Sequence, residues 1–131
     1  MRGEGEALIV YADLACPHCA AAWTEICRRP AQIAFRHFPV ASKHPRASIL
    51  HAAAEAAARQ GRFFEMVDSL YADRGHVDDP HLWERAKALG LDLERFEADR
   101  RSPEVAARVR RDFESGIRGG VTATPALYSP S

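Results

Sequence analysis

Two cysteines with two residues between them, in the run Cys16-Pro17-His18-Cys19, stand directly between a short apolar stretch and an alanine-rich segment. Ala7 to Ala12 carries the β-branched and aromatic members Ile9, Val10 and Tyr11, and reads as a buried strand. The segment after Cys19 ends near Arg28-Arg29-Pro30, where basic side chains suit a helix C-terminus and proline stops it. The local order is therefore strand, short loop, helix. A two-residue spacer in that setting keeps both sulfurs within bonding reach and holds Cys16 at the amino end of the helix. A thiolate there meets the positive end of the helix dipole and unpaired backbone N–H groups, both of which stabilise its charge. Cys16, the more exposed by position, reads as the attacking or leaving sulfur, and Cys19, one turn into the helix, as the resolving thiol. His18 can bring a positive charge or a donor to the Cys16 sulfur. Whatever stabilises the reduced thiolate makes the disulfide easier to reduce and the protein a stronger oxidant.

The competing use of such a pair is half of a structural zinc site, which needs two further ligands at comparable spacing. Cys27 follows eight residues later, and His37, His44, His51, His76 and His81 are scattered rather than paired, so redox use is the stronger reading. Cys27, near the end of the same helix, reads as a small buried apolar side chain. Three cysteines in the first part of a 131-residue chain are too few and too local for a disulfide scaffold. That length predicts a single domain over 1–131, with a core that needs no crosslinks. Apolar content of 47% is ordinary for a globular protein, and no apolar run is long enough to span a bilayer. Eighteen basic and eighteen acidic side chains give zero formal net charge, which removes the general attraction for nucleic acid. The polar, acidic start and the short apolar stretch from Ala7 to Val10 do not form a signal peptide, so the chain as written is assigned to the cytoplasm. A leader removed beforehand would instead put it in the periplasm or another extracytoplasmic space.

Ile33 to Phe38 alternates apolar with polar or small residues before Pro39 and predicts a second strand. From about residue 45 to 117 the local signals are helical. Ile49, Ala53, Ala56 and Ala57 recur at helical spacing up to Gly61, and Phe63, Val67, Leu70 and Tyr71 form the next stripe. Asp79-Pro80 and Ser102-Pro103 each read as a cap followed by a first-turn proline, with a short helix between them from Asp92 to Arg100. Gly119-Gly120 closes this section, and Ala126-Leu127-Tyr128 is a short strand led by Thr124-Pro125. A proline there is compatible with an ordinary trans residue at the start of an edge strand. Beside a redox pair, a cis X-Pro bond would instead expose the backbone of Thr124 near Cys16 for strand addition by a substrate segment.

With these residues in hand, the sequence resembles the DsbA-like thiol:disulfide oxidoreductases of the thioredoxin superfamily. The resemblance rests on Val10-Tyr11-Ala12-Asp13 leading into Cys16-Pro17-His18-Cys19, on Phe35-Arg36-His37-Phe38-Pro39, on the helical section, and on Gly120-Val121-Thr122-Ala123-Thr124-Pro125. Phe35 to Pro39 and Asp112-Phe113-Glu114-Ser115-Gly116 look like a bacterial branch whose members occur alone or fused to other modules. It implies an α/β thioredoxin-like fold with an α-helical insertion between strand 2 and the cis-proline strand. It further implies dithiol–disulfide exchange through a redox-active Cys16–Cys19 disulfide, with no metal and no organic cofactor. Carried over by position, Cys16 is the nucleophile, Cys19 resolves, Pro17 and His18 tune the potential, Thr124 meets substrate and Pro125 is the cis proline. The implied partners are an extended cysteine-bearing polypeptide and a redox partner protein or small thiol, with no membrane or nucleic acid.

Relatives continue past the cis-proline strand with another strand and a final helix, whereas little sequence follows Tyr128 here. A bare sheet edge and helix-free face would result, which predicts a homodimer through that edge, a borrowed covering element, or marginal stability. The alternative to an enzyme is a non-catalytic thioredoxin-like interaction module whose cysteines are structural or bind metal. His37 reads as a surface or capping residue, Trp23 as packing beneath the cysteines, and Asp13 as a strand-end turn residue or an electrostatic neighbour of the sulfurs. Arg28-Arg29 and Arg100-Arg101 read as helix ends, and Arg108, Arg110 and Arg111 as a solvated face.

Overall fold

A computed structural model describes residues 1–129; Pro130 and Ser131, counted within the expected domain, lie outside the described residues. β1 (Glu6–Ala12), α1 (Pro17–Arg28) and β2 (Ala31–His37) form a strand–helix–strand unit, followed by α2 (Ala47–Ala58), α3 (Phe63–Ala72), α4 (Asp79–Ala88), α5 (Leu93–Arg100) and α6 (Pro103–Arg118), and last by β3 (Ala126–Tyr128). The sheet order is β2-β1-β3, with β1 parallel to β2 and antiparallel to β3. The result is a mixed α/β fold with a helical insertion between the second and third strands.

Side-chain alternation along β1 divides the interior in two. Val10 and Ala12 point to the larger core, where they meet Ile33 and Phe35 of β2 and side chains from α1 through α5. Ile9 and Tyr11 point to the other face and pack with Phe38, Phe113 and Val121. Register places Val10 beside Phe35 and Ala12 beside His37, so β2 continues the large-core face. At its outer edge, Arg2 exchanges backbone hydrogen bonds with Ile33.

Within the insertion, α4, α5 and α6 begin at a capping side chain, whereas α2 and α3 have none. Ser102 accepts from the Val105 N–H and Asp92 from the Arg95 N–H, but the cap of α4 is Asp78 rather than Asp79, which is the first helical residue. The Asp78 side chain reaches the His81 N–H while Pro80 occupies the first turn.

Gly116 lets α6 cross close over the sheet. A Cβ there would lie 2.7 Å from two Phe38 ring carbons and 3.0 Å from a Tyr11 ring carbon. Helix propensity alone would favour alanine at this position, so the close approach decides the residue. The Val121 N–H then bonds the Gly116 carbonyl at 2.9 Å and turns the chain back toward the end of β1.

Candidate active site

Cys16 is the N-cap of α1, with Pro17 in the first helical position, where the missing N–H costs nothing. The chain reaches it through a tight turn in which the Cys16 N–H donates to the Asp13 carbonyl at 3.1 Å. Cys16 has no side-chain cap bond and lines the groove described below. Its exposure is 6% against 1% for Cys19, the order expected, but burial of both is deeper than the sequence suggested. His18 and Pro17 are exposed at the mouth. Cys16, Cys19 and Cys27 are all free thiols.

Cys19 is enclosed. Its sulfur accepts the Asp13 N–H at 3.4 Å and contacts the Thr124 hydroxyl and Cys16. Burial pushes its pKa up to about 12, with Cys16 adding to the rise and Thr124 and Asp13 opposing it. The Thr124–Pro125 peptide bond is cis, the Thr124 hydroxyl meets Cys19, and Thr124 lines the same groove as Cys16. Trp23 packs beneath the pair among Phe35, Phe64 and Tyr71, and its indole N–H donates to Asp68 at 2.8 Å. Tyr71 donates to the Asp13 carbonyl at 3.0 Å; burial, with the nearby cysteines and Asp13, raises its pKa well above that of an ordinary phenol.

Behind the cysteines runs a chain of polar groups that sequence reasoning missed. His37 is not at the surface but 1% exposed, because β2 register turns it into the large core. Its Nε2 lies 2.8 Å from Glu55 Oε1, and its Nδ1 lies 2.7 Å from Nδ1 of the fully buried His51. His51 Nε2 accepts the Leu14 N–H at 3.0 Å. A carboxylate only accepts, so the His37 ring proton sits on Nε2, and the His51 proton on Nδ1 completes the series of donors. Burial is the main cause that lowers the His51 pKa to about 4, reinforced by His37 and opposed by Asp13. The remaining neighbour, Asp13 Oδ1 at 3.2 Å from Nε2, would receive a proton only after His51 gained one.

Asp13 is fully buried and serves the turn and the electrostatics together. Its carboxylate accepts the Ala15 N–H at 3.0 Å and the Val40 N–H at 2.9 Å, tying the cysteine loop to the segment after β2. Burial opposes its charge, yet His51 and these two N–H groups outweigh burial and hold the carboxyl below its ordinary range. Glu55 is likewise held low: burial opposes, and His37 prevails. The signal that could have found this cluster is the spacing of His51 and Glu55, four residues apart on an alanine-rich helix.

Other expectations need correction. Cys27 is half-buried rather than sealed, with Arg2 Nη1 at 3.8 Å, and burial raises its pKa while Arg2 opposes the rise. Arg100 ends α5 but is buried, paired with Glu97 and with Asp79 at 3.5 Å. Arg108 pairs with Asp112, whose other oxygen accepts the His37 N–H at 3.1 Å, so this residue belongs to a network and not to a solvated face. Arg110 lines the groove. Among the described residues, no group of three or more His, Cys, Asp or Glu side chains is arranged to hold a metal ion, and no helix is long and apolar enough to cross a membrane.

Comparison with solved structures gives the same fold. The chain is similar to a thioredoxin-like oxidoreductase from Silicibacter pomeroyi DSS-3, with TM-score 0.82 and 22% identity, covering 95% of this chain and 74% of that one. It is similar to the thiol-disulfide exchange protein alpha-DsbA2 from Wolbachia pipientis, with TM-score 0.84 and 17% identity over 98% and 72% of the two chains. Among curated proteins, the Na(+)/H(+) antiporter NhaA of Herminiimonas arsenicoxydans is 36% identical over 137 residues, 98% of this chain but 22% of that protein. NhaA 1 of Mycolicibacterium gilvum is 35% identical over 139 residues, again 98% of this chain and 22% of its own length. The chain therefore spans about a fifth of the length of the curated relatives it matches, and the antiport in their names describes those whole proteins. Residues 7–129 match the DSBA-like thioredoxin domain, and the chain belongs to that family.

Proposed function

We propose that the chain is a protein thiol:disulfide oxidoreductase acting through Cys16 and Cys19. The observation that carries this reading is the asymmetry of the pair. Cys16 caps α1 at the floor of an open groove, while Cys19 beside it is enclosed with a pKa of about 12. Negative charge is favoured at a helix N-terminus and disfavoured in the apolar interior.

In the oxidising direction, a substrate thiolate attacks Cys16 Sγ of the Cys16–Cys19 disulfide. The S–S bond breaks, a mixed disulfide forms on Cys16, and Cys19 leaves and takes up a proton. A second substrate thiolate then attacks the substrate sulfur of the mixed disulfide and releases Cys16. Two electrons and two protons pass from substrate dithiol to the enzyme pair; the reducing direction is the same sequence reversed. Thr124 and the cis-linked Pro125 present backbone beside the sulfurs for an extended substrate segment. Pro17 and His18 tune the couple from the exposed mouth. A redox partner protein reoxidises the pair after it has donated its disulfide, and a redox partner protein or a small thiol reduces it after it has accepted one.

Equilibrating the couple against glutathione tests the reading and assigns direction. A single two-electron transition involving Cys16 and Cys19 is expected, with a potential toward the strongly oxidising end marking a disulfide donor. Stoichiometric zinc on the purified pair, or no reversible disulfide across the accessible range, would overturn it in favour of a non-catalytic module.

A further inference from the structure

The groove beside the cysteines has a volume of about 1120 Å³ and is walled by the head of α1, residues 38–44, α6 and residues 121–124. Phe38, Val40, Val109, Phe113, Ile117 and Val121 make it apolar. Ile117 is 55% exposed, an aliphatic side chain held open on the wall. From Ala106 to Ile117 the α6 wall runs about 16 Å at the helical rise, the length of roughly five extended residues.

The charge in this groove is of one sign. Lys43 and Arg110 line it together with His18 and His44, and no Asp or Glu does. In a chain with 18 basic and 18 acidic side chains, that is a local departure from overall balance. Arg108, two residues before Arg110, is paired with Asp112 across its own helix. Lys43 and Arg110 are both exposed, and neither has a carboxylate partner among the described residues. Unpaired cations along apolar walls focus a positive potential into the cleft and raise the local concentration of an anionic ligand.

We propose that the groove selects polypeptides in which the reacting cysteine is flanked by apolar side chains and, within the next few residues, by carboxylates. This rests on the exchange reading above and adds the chemistry of the substrate. The apolar residues cover the Phe38, Phe113 and Ile117 surface, while the carboxylates meet Lys43 and Arg110. A basic segment of the same shape is repelled, so discrimination uses repulsion as well as attraction.

The test uses the full chain, oxidised at Cys16 and Cys19, and synthetic cysteine peptides with identical apolar flanks that carry either Asp or Lys three and four residues from the cysteine. Exchange rates are normalised to each peptide's reaction with 2-hydroxyethyl disulfide, which removes the effect of the neighbouring charge on the peptide thiol itself. The acidic peptide is expected to react about tenfold faster than the basic one at low ionic strength, the preference shrinking several-fold in high salt. The double substitution Lys43→Glu with Arg110→Glu is expected to invert the ratio. Equal normalised rates, a preference for lysine, or a ratio unmoved by the double substitution would each overturn the proposal. Dithiothreitol, uncharged and too small to fill the groove, separates the two claims. If it reduces the pair while the peptides show no preference, only the groove proposal fails; if it does not, the exchange reading fails with it.

Discussion

The two sides of the cysteine loop are built on opposite rules. In front, Cys16 and His18 line the groove with apolar side chains and with Lys43 and Arg110, which have no carboxylate partner among the described residues. Behind, His51 bonds His37 and His37 bonds the half-buried Glu55, while the buried Asp13 carboxylate beside His51 takes the Ala15 and Val40 N–H groups. The difference separates tasks. The rear fixes the turn that presents Cys16, since unmet polar groups in an apolar interior are costly and a satisfied network holds one geometry. The front is left open, as the proposed substrate site requires. Damage to the rear is therefore expected in stability, and damage to the front in chemistry.

The largest effect belongs to the front. Cys16→Ser is expected to abolish peptide dithiol oxidation, a loss of at least about 1000-fold, in a stopped-flow assay with denaturation midpoint unchanged. Next, His51→Ala strips partners from the Leu14 N–H and His37 together, and a loss of about 3–5 kcal/mol in chemical denaturation is expected. A loss under 1 kcal/mol would break the claim that the rear is the structural side.

Acid probes the same network without mutation. The folded pKa of His51, about 4, lies below the ordinary histidine value, so the unfolded chain binds the proton first. Its contribution is complete above about pH 6.5 and is lost as pH falls toward 4, on the order of 3 kcal/mol in all. Asp13 and Glu55, both held low, extend the loss to more acidic pH. The groups facing His51 are Asp13, His37 and Asp112, so thermal melts between pH 7 and 4 on the wild type and on Asp112→Asn show how far each modulates it. A flat profile would contradict the buried neutral imidazole.

Gly116→Ala sets a Cβ into the Phe38 and Tyr11 rings and is expected to cost about 2 kcal/mol despite better helix propensity, readable as a lowered melting temperature. The smallest effect sharpens the comparison from the other side. Lys43→Ala and Arg110→Ala should each shift stability by less than about 0.5 kcal/mol, because both are exposed and neither has a carboxylate partner among the described residues.

The strands and the cysteine loop were legible because their signals are local. An apolar run gave β1, alternation gave β2 and the segment after Thr124-Pro125 gave β3, each to within two residues, and Ser102 and Asp92 marked helix starts that exist. The rear network was not legible. His37 shares the phase of Ile33 and Phe35 on β2, a signal that its polar side chain obscured, and its register with Ala12 shows the face it lies on. Its partner His51 is fourteen residues away across a loop. Arg110 sits two positions from Arg108 in sequence, yet one lines a groove and the other closes on Asp112, a distinction that depends on how α6 rotates over the sheet. Of the two readings Asp13 carried, the structure shows the turn residue, whose buried carboxylate takes the Ala15 and Val40 N–H groups, and Asp13 touches the Cys19 sulfur through its backbone N–H.

The central claim is that one sulfur of the pair is poised to react and the other is held back. Reduced protein treated with a limiting amount of iodoacetamide at neutral pH, then digested and mapped by mass spectrometry, measures this directly. The account predicts carbamidomethyl label on Cys16 well ahead of Cys19, with Cys27 slower than Cys16. Label appearing first on Cys19, or equally on both, would contradict it.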